Sequence, residues 1–305
     1  MKKHLYFWLA RLGQRMSLGQ IERVGNSLGT LIWHLFPSRR RTAVKAISER
    51  LAVSPAEAEQ MAHQSFRHNS RAFLELFKVH EFNDAFFAER VTIQGREIVE
   101  RIVDSGQPMV LVSGHMGAWE FMPMSASKVL HDAKITIPAR QTRDKALHEL
   151  LTWLRQTDTI TIIPHRRAVG ELLRSLRREG YAGFLVDHNT NRQEAIFLPF
   201  LGKLAAVNKG PALLAVRTKA LVVPFTMLHQ PDNRYLMIVN EPLDTATLPG
   251  ERDEQVQATA EFYTRAMEDY VRAYPEQWFW MHKRWKTRPA NEGRAESAAT
   301  SHQKG

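Results

Sequence analysis

The stretch Met109-Val110-Leu111-Val112-Ser113-Gly114-His115-Met116-Gly117-Ala118-Trp119-Glu120 decides the fold. Its first half is a short apolar run between Pro108 and Gly114, which reads as a buried strand. The strand ends at Ser113-Gly114, and His115 then opens a segment with helical character. An imidazole at the C-terminal end of a strand stands where α/β folds place their chemistry. A histidine with an acid nearby supplies the parts of a general base that takes a proton from a hydroxyl. The spacing alone says little, because 13 His and 32 acids in 305 residues produce one such pair by chance. On an ideal helix, positions five apart point roughly 140° from one another. His115 and Glu120 therefore meet only if His115 sits in the turn before the helix, a turn that Gly114 and Gly117 make easy. A capping histidine beside an unrelated surface glutamate fits the same spacing.

Outward from this block, strand-like and helix-like runs alternate. Helical patterns cover 55–78, 96–104 and a stretch from His115 to Val129. Strand 134–138 precedes a helix to Arg155, strand 159–163 precedes helix 169–178, and strand 181–186 ends at Asp187. A helix over 208–218, strands 221–228 and 235–240, and a last helix 252–274 follow. The alternation predicts an α/β fold: a mostly parallel central sheet flanked by helices, with N-terminal amphipathic membrane-associating helices. Three parts are expected: N-terminal helices over 1–50, a catalytic domain over 51–288, and a polar, disordered tail over 289–305.

The net charge is +10, unevenly spread. Residues 1–50 hold ten Lys/Arg against Glu22 and Glu49, while the remaining 255 residues are nearly balanced. A basic end implies an anionic partner, and a balanced main body argues against nucleic acid. Leu5, Trp8, Leu9, Leu12 and Met16 follow helical spacing, as do Ile21, Val24, Leu28, Leu31, Ile32 and Leu35. Tyr6, Trp8, Trp33 and Phe36 suit the headgroup level of a membrane. The longest charge-free window, 24–38, is 15 residues, short of the roughly 20 that span a bilayer. The expectation is an interfacial anchor followed by Arg39-Arg40-Arg41, without a secretory signal. Helices packed on the domain core with solvated arginines would give the same pattern.

There is no cysteine, which excludes disulfides, thiolate metal sites and cysteine nucleophiles. GxGxxG, P-loop, HExxH and GxSxG patterns are absent, so neither cofactor nor metal is expected. Two further clusters end strands. Arg140 and Arg143 follow the strand after His115 and match phosphate oxygens, or pair with Asp144 or Glu149 at the surface. Asp187-His188-Asn189 puts an acid at a strand end, in a cleft or as a turn cap. Phe197-Leu198-Pro199-Phe200-Leu201-Gly202-Lys203 reads as an apolar loop.

Taken in order, the Gly-His-x4-Glu block, the Pro-x-Arg at 138–140, the Asp187-His188 strand end, the Phe-Leu-Pro-Phe-Leu-Gly loop and the Val222-Val223-Pro224 strand resemble one family. It is the bacterial lipid A secondary acyltransferases, within the lysophospholipid acyltransferase superfamily. The aromatic and basic segment 278–288 and the basic N-terminus are similar too, so the resemblance covers nearly all of 1–288. One departure stands out: the Phe-Pro-Glu-Gly-Thr block of the glycerophospholipid acyltransferases is missing, and Asp187-His188 occupies its place. The resemblance implies transfer of a fatty acyl chain from acyl carrier protein to a hydroxyl of a lipid A precursor, at the cytoplasmic face of the inner membrane. His115 would be the base and Glu120 would hold its imidazole. Backbone N–H groups near Met116 and Gly117 would receive the oxyanion, and Gly117, Arg140, Arg143 and Asp187 would contact substrate.

Overall fold

The computed structural model describes residues 2–178 and 180–290. Most of the expected tail, 291–305, lies outside the described residues. In chain order the elements are α1 (Lys2–Gln14), α2 (Leu18–Leu35), α3 (Pro37–Leu51), α4 (Pro55–Glu75), a 3₁₀ turn (Leu76–Glu81), α5 (Asp84–Arg90), β1 (Val91–Gln94), α6 (Arg96–Asp104) and β2 (Met109–Ser113). Then come α7 (Met122–Val129), β3 (Ile135–Ala139), α8 (Lys145–Arg155), β4 (Ile160–Pro164), α9 (Ala168–Arg178), β5 (Tyr181–Leu185), β6 (Ala195–Phe200) and β7 (Lys203–Asn208). The chain continues through α10 (Gly210–Thr218), β8 (Leu221–His229), β9 (Tyr235–Val239), β10 (Leu243–Asp244) and α11 (Arg252–Ala273).

The main sheet runs β1-β9-β8-β2-β5-β3-β4, with β10 on β8. Every pair is parallel except β8 with β9 and β8 with β10. This is the α/β architecture that the alternation predicts. β2 and β8 are buried at every position, as strands covered on both faces must be, which is why they read as unbroken apolar runs. One face of the sheet packs against α9, α10 and α11, and the other against α6, α7 and α8.

One junction in the sheet is weak. β2 and β5 pair over five residues, but β3 and β5 share only Thr136 with Ala182. Beyond that point Pro138 offers no amide hydrogen to a ladder, and Gly183 has no side chain to fill the space. The two strands part toward their C-terminal ends.

The N-terminal helices divide their apolar residues between two faces. Ile21 and Trp33 of α2 are buried, and a Cβ at Gly25 or Gly29 would lie 2.6 or 2.5 Å from the α4 backbone. So α2 and α4 pack almost backbone to backbone. Trp33, expected at a headgroup level, instead lies edge-on to Phe66 beneath Arg40. The opposite face stays in solvent: Val24, Leu28, Leu31 and Leu35 of α2, with Leu5, Trp8, Leu9 and Leu12 of α1. No helix among the described residues is long and apolar enough to cross a membrane.

Two local expectations need correction. Residues 197–203 are not a loop. They belong to a hairpin, β6 with β7, turned at Leu201 and Gly202 with positive φ. Pro199 and a run without alternation hid that strand. The helix expected to open at His115 starts only at Met122. Residues 114–121 are an irregular connection, because Gly117 adopts φ +55° and its neighbours bond to other segments.

Candidate active site

The connection after β2 is clamped from two sides. The Gly117 amide donates to the Gln277 carbonyl, Ala118 donates to the Met227 carbonyl, and Phe279 donates back to the His115 carbonyl. A Cβ at Gly117 would stand 2.2 Å from the Met227 carbonyl oxygen, so only glycine lets the chain pass so close to β8. The Met116 amide is likewise spent, on Gly114. This corrects the expectation of an oxyanion site at Met116 and Gly117: both N–H groups already have partners, and Gly117 shapes the loop.

The clamp delivers His115 to the end of β5. Its backbone N–H donates to Asp187 Oδ2 at 2.7 Å, and its Nδ1 lies 2.8 Å from Asp187 Oδ1. The Trp278 indole donates to Asp187 Oδ2 at 2.8 Å. Gly114 makes this closeness possible, since a Cβ there would lie 3.2 Å from Asp187 Oδ2. Burial alone would raise the Asp187 carboxyl, but the facing His115 imidazole and the Trp278 hydrogen bond outweigh it and hold the acid well below the usual carboxylate range. An ionised Asp187 accepts from Nδ1–H, which leaves the His115 Nε2 lone pair free.

The partner expected for His115 was Glu120, and the geometry assigns that place to Asp187. Glu120 is buried and forked by Arg155, with Nε at 2.9 Å and Nη2 at 2.5 Å. Burial lowers the Arg155 guanidinium, and Glu120 more than reverses this, so its pKa is raised. Nothing in the sequence marks Arg155, which ends α8, 35 residues from Glu120.

A column of imidazoles backs the site. His188 stacks on His115 with centroids 3.7 Å apart, and His282 stacks on His188 at 4.3 Å. Burial, then His115, pushes His188 down to about 3, and burial pushes His282 down to about 4. Both are neutral at physiological pH, so the stack adds no positive charge beside His115. His115, Asp187 and His188 are also close enough to share a metal ion. Both Asp187 oxygens, however, already accept N–H donors, and an ion would have to displace them.

These groups open into a cavity of about 970 Å³ with a mostly apolar lining. His115, Glu120, Arg140 and Arg155 are all on its wall. Arg140 has no acidic partner among the described residues. The acids offered to it by the sequence are engaged elsewhere, Asp144 with Tyr6 and the Leu147 amide, and Glu149 with Lys3. Arg143 is exposed and does not line the cavity.

The family model for bacterial lipid A biosynthesis acyltransferases matches residues 4–287. The chain belongs to that family. Relatives include the lipid A biosynthesis lauroyltransferase of Escherichia coli (strain K12), 24% identical over 94% of both chains. The lipid A biosynthesis acyltransferase of Haemophilus influenzae is 22% identical over 94% of this chain and 92% of its own. The palmitoleoyltransferase of Escherichia coli is 22% identical over 78% of this chain and 76% of its own. Among solved structures, the 1-acyl-sn-glycerophosphate acyltransferase of Thermotoga maritima covers 82% of this chain and 97% of its own, with 13% identity and a TM-score of 0.38. By its family and these sequence relatives the protein is an acyltransferase of lipid A biosynthesis.

Proposed function

We propose that this acyltransferase moves a fatty acyl chain from acyl carrier protein to a hydroxyl of a lipid A precursor, with His115 as general base. The observation that carries the reading is an imidazole on the wall of a mostly apolar cavity, its Nδ1 bonded to a buried carboxylate. An alcohol is a weak nucleophile until its proton leaves. As the acceptor oxygen attacks the thioester carbon, its proton passes to His115 Nε2. The C–S bond then breaks, and the imidazolium returns that proton to the departing sulfur. Asp187 fixes the tautomer and stabilises the transient imidazolium. Glu120 acts one step removed: it holds Arg155 as a fixed positive charge on the cavity wall, suited to the negative charge that grows on the thioester oxygen. Arg140 at the mouth is suited to a substrate phosphate.

The site is proposed to work at the cytoplasmic face of the inner membrane. The solvent-facing leucines of α1 and α2 and the arginines at 39–41 support peripheral binding there. The test is direct. Purified protein is incubated with acyl carrier protein thioesters and a lipid A precursor, with a lysophospholipid as the competing acceptor, and products are weighed by mass spectrometry. Acylation of the precursor should fall by roughly 10²–10⁴ in His115→Ala. Full activity in a folded His115→Ala protein would sink the mechanism, and preference for the lysophospholipid would redirect the substrate.

A further inference from the structure

The cavity is not confined to one side of the sheet. Leu111, Ile135, Ile160 and Gly183 line it on the face covered by α7 and α8, while Leu172, Phe184 and Leu214 line it on the face covered by α9 and α10. Pro138 and Gly183, beside the point where β3 and β5 part after their single pairing, line the cavity as well. A Cβ at Gly183 would meet Ile137 at 3.2 Å and Ile135 at 3.4 Å, so the missing side chain leaves space beside β3 at that point.

The two lobes differ in kind. On the α7 side the inner end of the lobe is closed, with Leu111, Met122, Ala126, Ile135 and Ile160 each no more than 3% exposed, and it opens only toward the strand end, where Leu185 is 39% exposed. On the α9 and α10 side the lobe is open. Val169 is 60% exposed, and the exposed Arg217 and Arg252 line the cavity together with the half-buried Lys209. None of these three cations has an acidic partner among the described residues, and Glu194 is the acid on the same wall.

Resting on the proposed reaction, we infer that the two hydrocarbon chains lie on opposite faces of the sheet and meet through the β3–β5 gap at His115. The closed-ended α7 lobe takes the donor acyl chain, and the open basic groove takes the acceptor. A closed apolar end rewards each methylene that fits and rejects the next, whereas an open groove sets no length limit. A donor has one chain to bury. An acceptor carrying several chains and phosphates needs the open side and its cations.

The test compares the wild-type enzyme with three variants on a series of acyl carrier protein thioesters of increasing chain length and a phosphorylated lipid A precursor. Ala126→Leu fills the closed-ended lobe and should shift the optimum to shorter donors, losing about fourfold in kcat/KM for each methylene excluded. Met124→Ala enlarges the same lobe and should shift the optimum to longer donors. Leu213→Trp narrows the open groove and should raise the acceptor KM while leaving the donor-length profile as in the wild type. If Ala126→Leu does not fold, the Met124→Ala profile decides. A wild-type profile in Met124→Ala, or a shifted donor profile in Leu213→Trp, overturns the assignment. Absence of transfer by the wild-type chain to the precursor overturns the reaction it rests on, and this inference with it.

Discussion

Replacing Asp187 by asparagine tests the site most sharply, because the geometry dictates how the new side chain must sit. Asp187 Oδ2 accepts two donors that cannot change character, the His115 backbone N–H and the Trp278 indole N–H. Asparagine has one oxygen, and these two donors claim it. Its amide nitrogen then faces His115 Nδ1 and donates to it, which makes Nδ1 an acceptor and drives the ring proton to Nε2. The lone pair that should take the substrate proton is gone. The charge is lost as well. Two unit charges about 4 Å apart interact by roughly 4 kcal/mol at an effective dielectric of about 20, so an imidazolium without Asp187 costs roughly 10³ in rate. The reversed tautomer brings the expected loss in kcat to about 10⁴. The assay is steady-state acyl transfer with each substrate varied in turn, alongside urea denaturation to show that the variant folds. A folded Asp187→Asn enzyme within tenfold of wild-type kcat would refute the reasoning. A loss confined to the acceptor KM would move Asp187 from proton chemistry to binding.

Glu120→Gln and Arg155→Ala should each slow transfer, and the double variant should be little worse than Arg155→Ala, since the two form one unit. Combined with Asp187→Asn, either loss should multiply, and rate measurements showing no further loss would place Glu120 back with His115. A second prediction concerns the fully buried Glu75, which accepts from Arg71 Nε and Tyr235 Oη and lies 2.9 Å from His229 Nε2. Burial alone would raise its pKa, but His229 and Arg71 outweigh this and hold it at about 2 against an ordinary 4.5. A depressed carboxyl stabilises the fold above pH 4.5, and that contribution fades as pH falls from there toward 2. Glu75→Gln should therefore cost about 3–5 kcal/mol at pH 7 and progressively less below pH 4.5 in urea titrations. A gap that does not change with pH would contradict the assignment. Finally, Trp8→Glu with Leu35→Glu alters two side chains that are 60% and 62% exposed, so melting should be unchanged. Binding to anionic vesicles should drop at roughly 1.5–3 kcal/mol per lost apolar anchor. Undiminished sedimentation with vesicles would place the membrane face elsewhere.

The sequence by itself determined the layers of this protein. Period-2 and unbroken apolar runs sit where β2, β5 and β8 lie, and 3.6-residue spacing marks α4, α6 and α11. These patterns are local, because each strand or helix must hide its own apolar residues. The sequence also put His115 and Asp187 at strand ends, since a parallel sheet brings those ends to one edge. The partnership between them is a different matter. Asp187 lies 72 residues beyond His115, and β5 comes to pair with β2 only after the chain has laid down β3 and β4. Glu120, nearer in sequence, was turned away by Gly117, whose positive φ answers to a carbonyl on β8. Trp278, Arg155, His188 and His282 are likewise joined to the site by long-range contacts that have no local signature. Faces and periods are properties of a segment and can be read along the chain. Which carboxylate meets which imidazole, and where β3 leaves β5, depends on how distant segments close-pack, and only the tertiary structure decides that.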